Sequence, residues 1–274
     1  MDETSAHVKG DDLPLEVSTA PQVLVTPSRE RRPARKLHLV PPAASDMRPT
    51  HEELLSSSDT PPRVARGRRV GARVRSGEPL TDSQFDELYP FEVRVMSSTF
   101  WTPMRVALRC AKLLAKKPGT RVLDIGSGAG KFCIVGALST EGQFFGIEQR
   151  ESLVDCAREM ATLLEAGSAT FVHGLFDSLN PEEYDAFYLF NPFEENKFSK
   201  AYQYDWKVTL GKERFTEDVR KAQHFLRGAR PGTRVVTYNG MGGKLPWCYD
   251  LIEREQMGCA IEVWVKDAQA KHAK

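Results

Sequence analysis

The stretch RVLDIGSGAGKFCIVGAL, residues 121–138, decides the fold. A short apolar run holds the acid Asp124, and three glycines, at 126, 128 and 130, follow within six positions. A helix-like segment begins directly after the last glycine. Glycine adopts positive φ at little cost and lets a backbone approach a ligand closely. The stretch therefore predicts a strand, a ligand-binding loop and a helix in succession.

Working outward, strand-like and helix-like segments alternate along the chain. Further apolar runs are predicted as strands and lie at 143–148, 169–173, 185–190 and 233–238. Helical patterns at 152–166 and 216–227 separate them, and such alternation favours a parallel sheet covered on both faces. The last two runs, YDLIERE and AIEVWVK, are so close in sequence that they can pair only as an antiparallel hairpin.

Two helices are predicted before the first strand. TDSQFDELYP, residues 81–90, has Thr81 as a cap and a proline as a stop. In the following segment, Thr102 is placed as the cap and Pro103 at the first helical position. Apolar residues at 106, 110 and 113 or 114 then fall on one face. Both helices are expected to belong to the ordered domain.

Composition divides the 274 residues into two parts. Residues 1–80 are rich in Pro, Ser, Thr, Arg and Asp and are predicted to be a disordered tail, whereas 81–274 form the domain. Arginine clusters at 29–36 and 63–75 permit a nucleic-acid contact. We do not favour that contact, because no aromatic residues accompany the arginines and the formal net charge is only +1.

The sequence predicts a cytoplasmic location without membrane attachment. No apolar window is long enough to span a bilayer, and the acidic start lacks the apolar core of a secretory signal. The five cysteines are odd in number and form no CxxC pair, so buried reduced thiols are expected and no metal site is predicted.

Spacing separates the ligands that a glycine loop can hold. A P-loop requires G-x-x-x-x-G-K followed by Ser or Thr, and the residues around Gly130 and Lys131 fail at both ends. The dinucleotide fingerprint G-x-G-x-x-G is a near miss, because the third glycine comes one residue early and Lys131 holds its place. An NAD-dependent oxidoreductase therefore stays open as an alternative.

The pattern D-x-G-x-G-x-G, from Asp124 to Gly130, resembles motif I of the class I S-adenosylmethionine-dependent methyltransferases. A second acid, Glu148, ends the next predicted strand. The resemblance implies a Rossmann-like, mostly parallel sheet of seven strands with a C-terminal antiparallel hairpin and helices on both faces. It also implies that Glu148 binds the ribose and that an acid near the loop faces the ammonium of the methionine end.

The resemblance extends to the ends of the third and fourth strands. Phe176 and Asp177 are expected to flank the adenine, and Asn191-Pro192-Phe193 resembles the N-P-P-Y or N-P-P-F motif of amino-group methyltransferases, with one proline missing. The three residues of this Asn-Pro-Phe motif are predicted to be catalytic. The predicted cofactor-binding residues are Asp124, Gly126, Ser127, Gly128, Gly130, Glu148, Gln149, Phe176, Asp177 and Thr102.

The sequence thus predicts methyl transfer from S-adenosylmethionine to an acceptor of unknown identity, with a nitrogen nucleophile favoured. A small molecule or a protein side chain is the favoured acceptor, and an RNA base remains open. An aromatic-rich segment over 194–214 is expected to cover the acceptor. Besides the oxidoreductase, a non-catalytic binding module that uses the arginine-rich tail remains an alternative.

Overall fold

A seven-stranded sheet forms the centre of the protein, whose computed structural model describes residues 61–95 and 97–268. The strand order is β3-β2-β1-β4-β5-β7-β6, in which β1 to β5 are parallel and β7 is antiparallel to both of its neighbours. The strands are β1 (Arg121–Ile125), β2 (Gln143–Glu148), β3 (Ala169–His173), β4 (Ala186–Leu189), β5 (Arg234–Tyr238), β6 (Tyr249–Met257) and β7 (Cys259–Lys266).

Helices surround the sheet and connect its parallel strands. In the described residues they are α1 (Pro61–Ser76), α2 (Asp82–Asp86), α3 (Phe91–Arg94), α4 (Ser97–Phe100), α5 (Met104–Leu114), α6 (Lys131–Ser139), α7 (Glu151–Leu163) and α8 (Lys212–Gly228). Short 3₁₀ turns lie at Phe176–Ser178, Pro181–Glu183, Glu194–Lys197 and Lys200–Tyr202. The predicted Rossmann-like α/β architecture is confirmed, including the C-terminal hairpin.

Both faces of the parallel strands are buried, which explains their continuous apolar composition. Every residue of β4 is buried, and β1 is buried over its last four positions. On one face Phe132 of α6 stacks on Tyr188 of β4, with ring centroids 3.8 Å apart. On the other face Phe187 of β4 packs against Phe225 of α8. The helices on the two faces therefore complete two separate hydrophobic clusters.

The strand order reverses beside β1, and this reversal positions the ligand site. β2 pairs with one edge of β1 while β4 pairs with the other, although β4 follows much later in the chain. The connections that leave the carboxyl ends of β1 and β4 consequently diverge to opposite sides, and a crevice opens between them. The glycine loop lies at this crevice.

The caps of the two helices before the sheet differ in part from the prediction. Thr81 caps α2 in a capping box with Gln84, as predicted. Thr102 does not cap α5; its hydroxyl lies 2.9 Å from the Tyr188 hydroxyl, and the helix begins after Pro103. Instead, Asp82 Oδ1 accepts a hydrogen bond from the Met104 backbone amide at 2.8 Å. A side chain of another helix satisfies the orphan amide, which local sequence cannot indicate.

Residues 61–76 form helix α1, so the structure differs here from the predicted disordered tail. The predicted tail over residues 1–60, including the arginine cluster at 29–36, lies outside the described residues. Buried Val70 and Val74 hold one face of α1 against the domain. Its close approach depends on two glycines: a Cβ at Gly67 would lie 2.6 Å from the Leu163 side chain, and one at Gly71 would lie 2.5 Å from the Leu164 carbonyl.

Five of the six arginines of α1 contact other parts of the described protein. Their acidic partners come from α7 and its C-terminal end and from the segments around α2. The pairs are Arg63 with Glu159, Arg66 with Glu87, Arg68 with Glu165, and Arg73 with Glu78. Arg75 donates to the Leu164 and Glu165 carbonyls. Because these guanidinium groups already have protein partners, the cluster at 63–75 stabilises the attachment of α1.

The packing of α1 predicts a change in the free energy of unfolding that is opposite in sign to the change expected from helix propensity. Gly71→Ala should lower the free energy of unfolding by about 1–3 kcal/mol, because the new Cβ overlaps a backbone carbonyl that cannot rotate away. Propensity alone would make the same change stabilising. Ala65→Gly, on the exposed side of α1, is the control for propensity and should cost about 1 kcal/mol. Urea denaturation measures both; stabilisation by Gly71→Ala would contradict the packing.

Candidate functional site

The glycine loop between β1 and α6 requires glycine at defined points. Gly126, Gly128 and Gly130 have φ of 77°, 53° and 80°, a region that other residues rarely adopt. A Cβ at Gly130 would lie 2.6 Å from the Phe171 ring, so the third glycine permits close packing. A Cβ at Gly128 would meet nothing within 4 Å, so the middle of the loop faces open space.

Asp124 is a buried carboxylate at the end of β1. Its exposed fraction is 4%, and its Oδ2 atom accepts a long hydrogen bond from Cys133 Sγ at 3.7 Å. Burial raises the pKa of Asp124 to about 8, and the nearby charge of Glu148 adds to the shift. No cationic side chain is among the causes that act on it. A cationic ligand group would therefore favour the charged form of this carboxylate.

Glu148, at the end of β2, is the second buried carboxylate. Its Oε2 accepts from the Gly128 amide at 3.1 Å, and its Oε1 accepts from the Arg150 amide at 3.0 Å. Burial raises its pKa, while these backbone hydrogen bonds oppose the shift. Because each carboxylate oxygen can accept two hydrogen bonds, Glu148 retains acceptor capacity beyond these backbone donors.

The two carboxylates line a single cavity of about 550 Å³ at the carboxyl ends of the parallel strands. Its walls come from the glycine loop, the loops after β2, β3, β4 and β5, and the segment before α5. Gly126, Ser127 and Gly128 also line it, whereas Gly130 is absent from the lining and supports the loop from behind. The volume is within the usual range for small-molecule sites.

The Asn-Pro-Phe motif at 191–193 lies against the glycine loop. A Cβ at Gly126 would be 3.1 Å from the Pro192 side chain, so the two loops are in direct contact. Asn191 has φ of 46°, and its amide donates to the Gly240 carbonyl at 3.1 Å. Phe193 is buried and packs against Phe176. All three motif residues line the cavity.

Of the two predicted adenine contacts, the structure brings only one to the cavity. Phe176 is buried between Phe193 and Phe225 and lines the cavity. Asp177 does not line it; this carboxylate pairs with Lys221 at 3.2 Å beside a different surface pocket, so the prediction for Asp177 is wrong. The turn at Phe176–Ser178 rotates consecutive side chains to different sides, and the partly exposed Leu175 faces the cavity instead.

The remaining predicted cofactor residues also reach the cavity. Thr102 lines it together with Trp101 and Pro103, although Thr102 uses its hydroxyl on Tyr188. Gln149 lines it as well, and its side-chain oxygen accepts from Arg214 at 2.6 Å. This hydrogen bond fixes the orientation of the Gln149 side-chain amide.

The segment predicted to cover the acceptor is held by a residue that the sequence analysis missed. Arg150 is buried, pairs with Glu195 at 2.9 Å and Asp205 at 3.1 Å, and lies 5.4 Å from the ring centroid of Tyr204. Tyr204 and Phe198 line the cavity, whereas Tyr202 and Trp206 are largely exposed. Nothing in the local sequence distinguishes Arg150 from a surface arginine, because its partners come from a distant segment.

The end of β5 was expected from the sequence to shape another wall of the site, whereas the lining residue at the start of β7 was missed. Tyr238, Asn239 and Cys259 line the cavity there. The other described cysteines are buried and free, while Cys259 is free and partly exposed, which corrects the expectation of five buried thiols. Pairing of β5 with β7 brings Cys259 to the site, and this pairing was the only signal that could have found it.

Lys131 is not available to a phosphate group, although it holds the third glycine position of a dinucleotide fingerprint. Its ammonium is buried and pairs with Asp82 at 2.6 Å and Asp86 at 2.7 Å. The lysine therefore joins α6 to α2.

No helix among residues 61–95 and 97–268 combines the length and the hydropathy needed to cross a bilayer.

Comparison with known proteins assigns part of this chain to a domain family. Residues 116–212 match a family model described as a methyltransferase domain. An RNA methyltransferase from Salinibacter ruber, solved with S-adenosyl-L-homocysteine, has 19% identity, a TM-score of 0.43, and coverage of 62% of this chain and 94% of its own. TrmN from Thermus thermophilus has 21% identity, a TM-score of 0.45, and coverage of 60% and 49%. The curated proteins contain no match.

Residues 116–212 of the chain therefore belong to a methyltransferase domain, which is built on the mostly parallel seven-stranded sheet. The methyltransferase domain indicates S-adenosylmethionine as the cofactor.

Burial of Asp124 generates a prediction for the pH dependence of stability. Its folded pKa of about 8 exceeds the ordinary 3.8, so the folded state holds this proton more tightly than the unfolded state. Through Asp124, the free energy of unfolding should fall as pH rises from about 4 to about 8. Asp124→Asn should remove that contribution and stabilise the protein by about 2 kcal/mol near pH 8.

Urea denaturation at about pH 5 and about pH 8 measures this difference. Asp250→Asn, which changes an exposed aspartate on β6, is the matched control and should leave the pH dependence of the wild type intact. The same pH dependence in Asp124→Asn as in the wild type would contradict the burial argument.

Proposed function

We propose that the cavity holds S-adenosylmethionine with its amino-acid end at Asp124 and its ribose at Glu148, and that the enzyme methylates a nitrogen atom presented at Asn191. The observation that carries this proposal is the presence of two buried carboxylates on one cavity, on either side of a glycine loop.

Electrostatics favour the methionine end at Asp124. The ligand carries an ammonium group and a sulfonium, and Asp124 is a buried carboxyl group without a cationic protein partner among the described residues. A nearby positive charge lowers the pKa of a carboxyl group and is itself stabilised in a buried site. Ser127 Oγ supports the same placement, because it is a buried hydroxyl without a hydrogen-bond partner among the described residues.

Hydrogen-bond geometry favours the ribose at Glu148. The two backbone donors from Gly128 and Arg150 fix the orientation of the carboxylate. The acceptor capacity that remains on this carboxylate suits a sugar hydroxyl group. The backbone at Gly128 lies beside this carboxylate and has open space in front of it, so a sugar can approach without a steric conflict.

Apolar side chains favour the adenine beside the loop after β3. Phe176 and Leu175 both line the cavity, and the packing of Phe176 against Phe193 and Phe225 fixes its ring. We assign the adenine face to these two residues in place of Asp177. Gln149 lines the same cavity and supplies an amide for the edge of the base.

Contact between Pro192 and Gly126 supports the transfer position at the Asn-Pro-Phe motif. When bound, the sulfonium supplies an activated methyl group, so a strong general base is not required for a neutral nitrogen acceptor. The protein's contribution is to align the acceptor and to exclude water. The Asn191 side chain makes no hydrogen bond within the described part of the chain, and its oxygen can accept from an acceptor N–H.

The non-catalytic alternative used the arginine-rich tail as a binding surface. Within the described residues, the cluster at 63–75 is occupied by contacts to the domain, among them the Arg63–Glu159 and Arg68–Glu165 pairs. This occupation favours the enzymatic proposal over a nucleic-acid-binding role for α1.

Calorimetry with S-adenosylhomocysteine tests the cofactor assignment. Glu148→Gln should weaken binding by about tenfold or more, because one acceptor oxygen is replaced by a donor that the ribose hydroxyls and the backbone amides do not match. Glu141→Gln, at an exposed glutamate before β2, is the control and should bind as the wild type does. Equal affinity in Glu148→Gln and the wild type would refute the ribose assignment.

The nitrogen assignment has a separate spectroscopic test. The enzyme is incubated with donor labelled with ¹³C in the methyl group and with a metabolite extract, and the product is observed by ¹H–¹³C NMR. We expect a methyl carbon shift typical of attachment to nitrogen, and its loss in Asn191→Gly. That variant suits the positive φ of the position, so it removes the carboxamide without straining the turn. A product methyl group on sulfur or oxygen would reject the nitrogen proposal while leaving the cofactor assignment intact.

A further inference from the structure

A second asparagine faces the cavity beside Asn191. Asn239 follows β5, lines the cavity and has φ of 57°, while Asn191 follows β4 with φ of 46°. The Asn191 amide donates to the Gly240 carbonyl, so the two loops are joined directly after two adjacent parallel strands. Positive φ costs a non-glycine residue free energy, and asparagine tolerates it better than most residues.

Neither carboxamide is used within the protein. In residues 61–95 and 97–268, the backbone amide of Asn239 donates to the Ala260 carbonyl at 2.9 Å, but the side chains of Asn191 and Asn239 make no hydrogen bond. A turn alone would need only the backbone conformation. The free donors and acceptors of two neighbouring carboxamides are therefore available to a ligand in the cavity.

Aromatic rings form the wall next to these asparagines. Phe190 and Tyr238 line the cavity with their ring centroids 4.9 Å apart. The Tyr238 hydroxyl is occupied, because it donates to the Met257 carbonyl at 3.1 Å and accepts from the Cys259 amide at 3.3 Å. Tyr238 thus offers the cavity a ring and not a free hydroxyl. Such a wall suits a planar acceptor.

The cavity offers no spare charge for an ionic acceptor. Apart from Asp124 and Glu148, every charged side chain that lines it is paired with an opposite charge from the protein. The pairs are Lys131 with Asp82 and Asp86, Arg150 with Glu195 and Asp205, Glu194 with Lys197, and Arg214 with Asp218. An ionised acceptor would lose its hydration without gaining a partner.

We propose that Asn239 is a second acceptor-binding residue and that, with Asn191, it selects an uncharged planar acceptor such as an aromatic carboxamide or aryl amine. This proposal rests on the proposed function, since it takes the cofactor to occupy the glycine-loop end of the same cavity. The two carboxamides bind the polar group of the acceptor, and the rings of Phe190 and Tyr238 contact its plane.

Three probes that share one ring and differ in charge test this proposal: benzamide, benzoate and benzylammonium. Their binding to the full chain saturated with S-adenosylhomocysteine is measured by ligand-observed NMR. Benzamide should bind at millimolar concentration, and the two ions should bind about tenfold more weakly or not at all. Asn239→Gly should weaken benzamide binding by about tenfold. It keeps the turn, because glycine accepts the positive φ.

Calorimetry with S-adenosylhomocysteine on the same variant separates the two proposals. Asn239→Gly should bind S-adenosylhomocysteine with the affinity of the wild type. If the wild type itself did not bind S-adenosylhomocysteine, the cofactor assignment would be refuted. The acceptor proposal is overturned if benzamide does not bind to the saturated wild type, if either ion binds as tightly, or if Asn239→Gly binds benzamide unchanged. Asn239→Asp is a second variant that keeps the side-chain shape; it should bind benzamide more weakly and not restore benzoate binding.

Discussion

The burial of two acidic side chains beside a glycine loop is the constraint on which this structure depends. Asp124 and Glu148 end adjacent parallel strands, and neither has a cationic side chain bonded to its carboxylate in the described residues. Leaving carboxyl groups in this state costs stability, and the raised pKa of Asp124 records that cost. The arrangement is explained by a ligand that brings positive charge and hydroxyl groups, as S-adenosylmethionine does.

The rest of the molecule brings this site together at one edge of the sheet. Reversal of the strand order next to β1 opens the crevice, and contact between Gly126 and Pro192 narrows it. Arg150 supports two parts of the site. Its backbone amide orients Glu148, and its side chain holds the segment at Glu195 and Asp205. Glu148, which we assign to the ribose, and the segment that we expect to cover the acceptor are therefore supported by the same residue.

The basic and acidic residues before the sheet have a structural use that their composition does not reveal. Arginines of α1 pair with glutamates of the domain, and Lys131 pairs with Asp82 and Asp86 of α2. Asp82 also caps α5, so the acids of α2 hold two helices near the cavity. These charges position the wall at Trp101 and Thr102. For this part of the protein, a cluster of charges indicates internal attachment.

By itself, the sequence determined the alternation of strands and helices, the hairpin and the glycine loop, because each depends on local periodicity and on residues close in the chain. It also determined that Asp124 and Glu148 lie at one site, since the carboxyl ends of parallel strands meet at the same edge of the sheet. Only the tertiary structure decided what depends on distant partners. The short turn after β3 directs Asp177 to Lys221 and away from the cavity. Strand pairing brings Cys259 to it, and burial of Arg150 requires acids from a segment far along the chain. Contacts between remote residues follow from how the layers pack, and no local pattern records that packing.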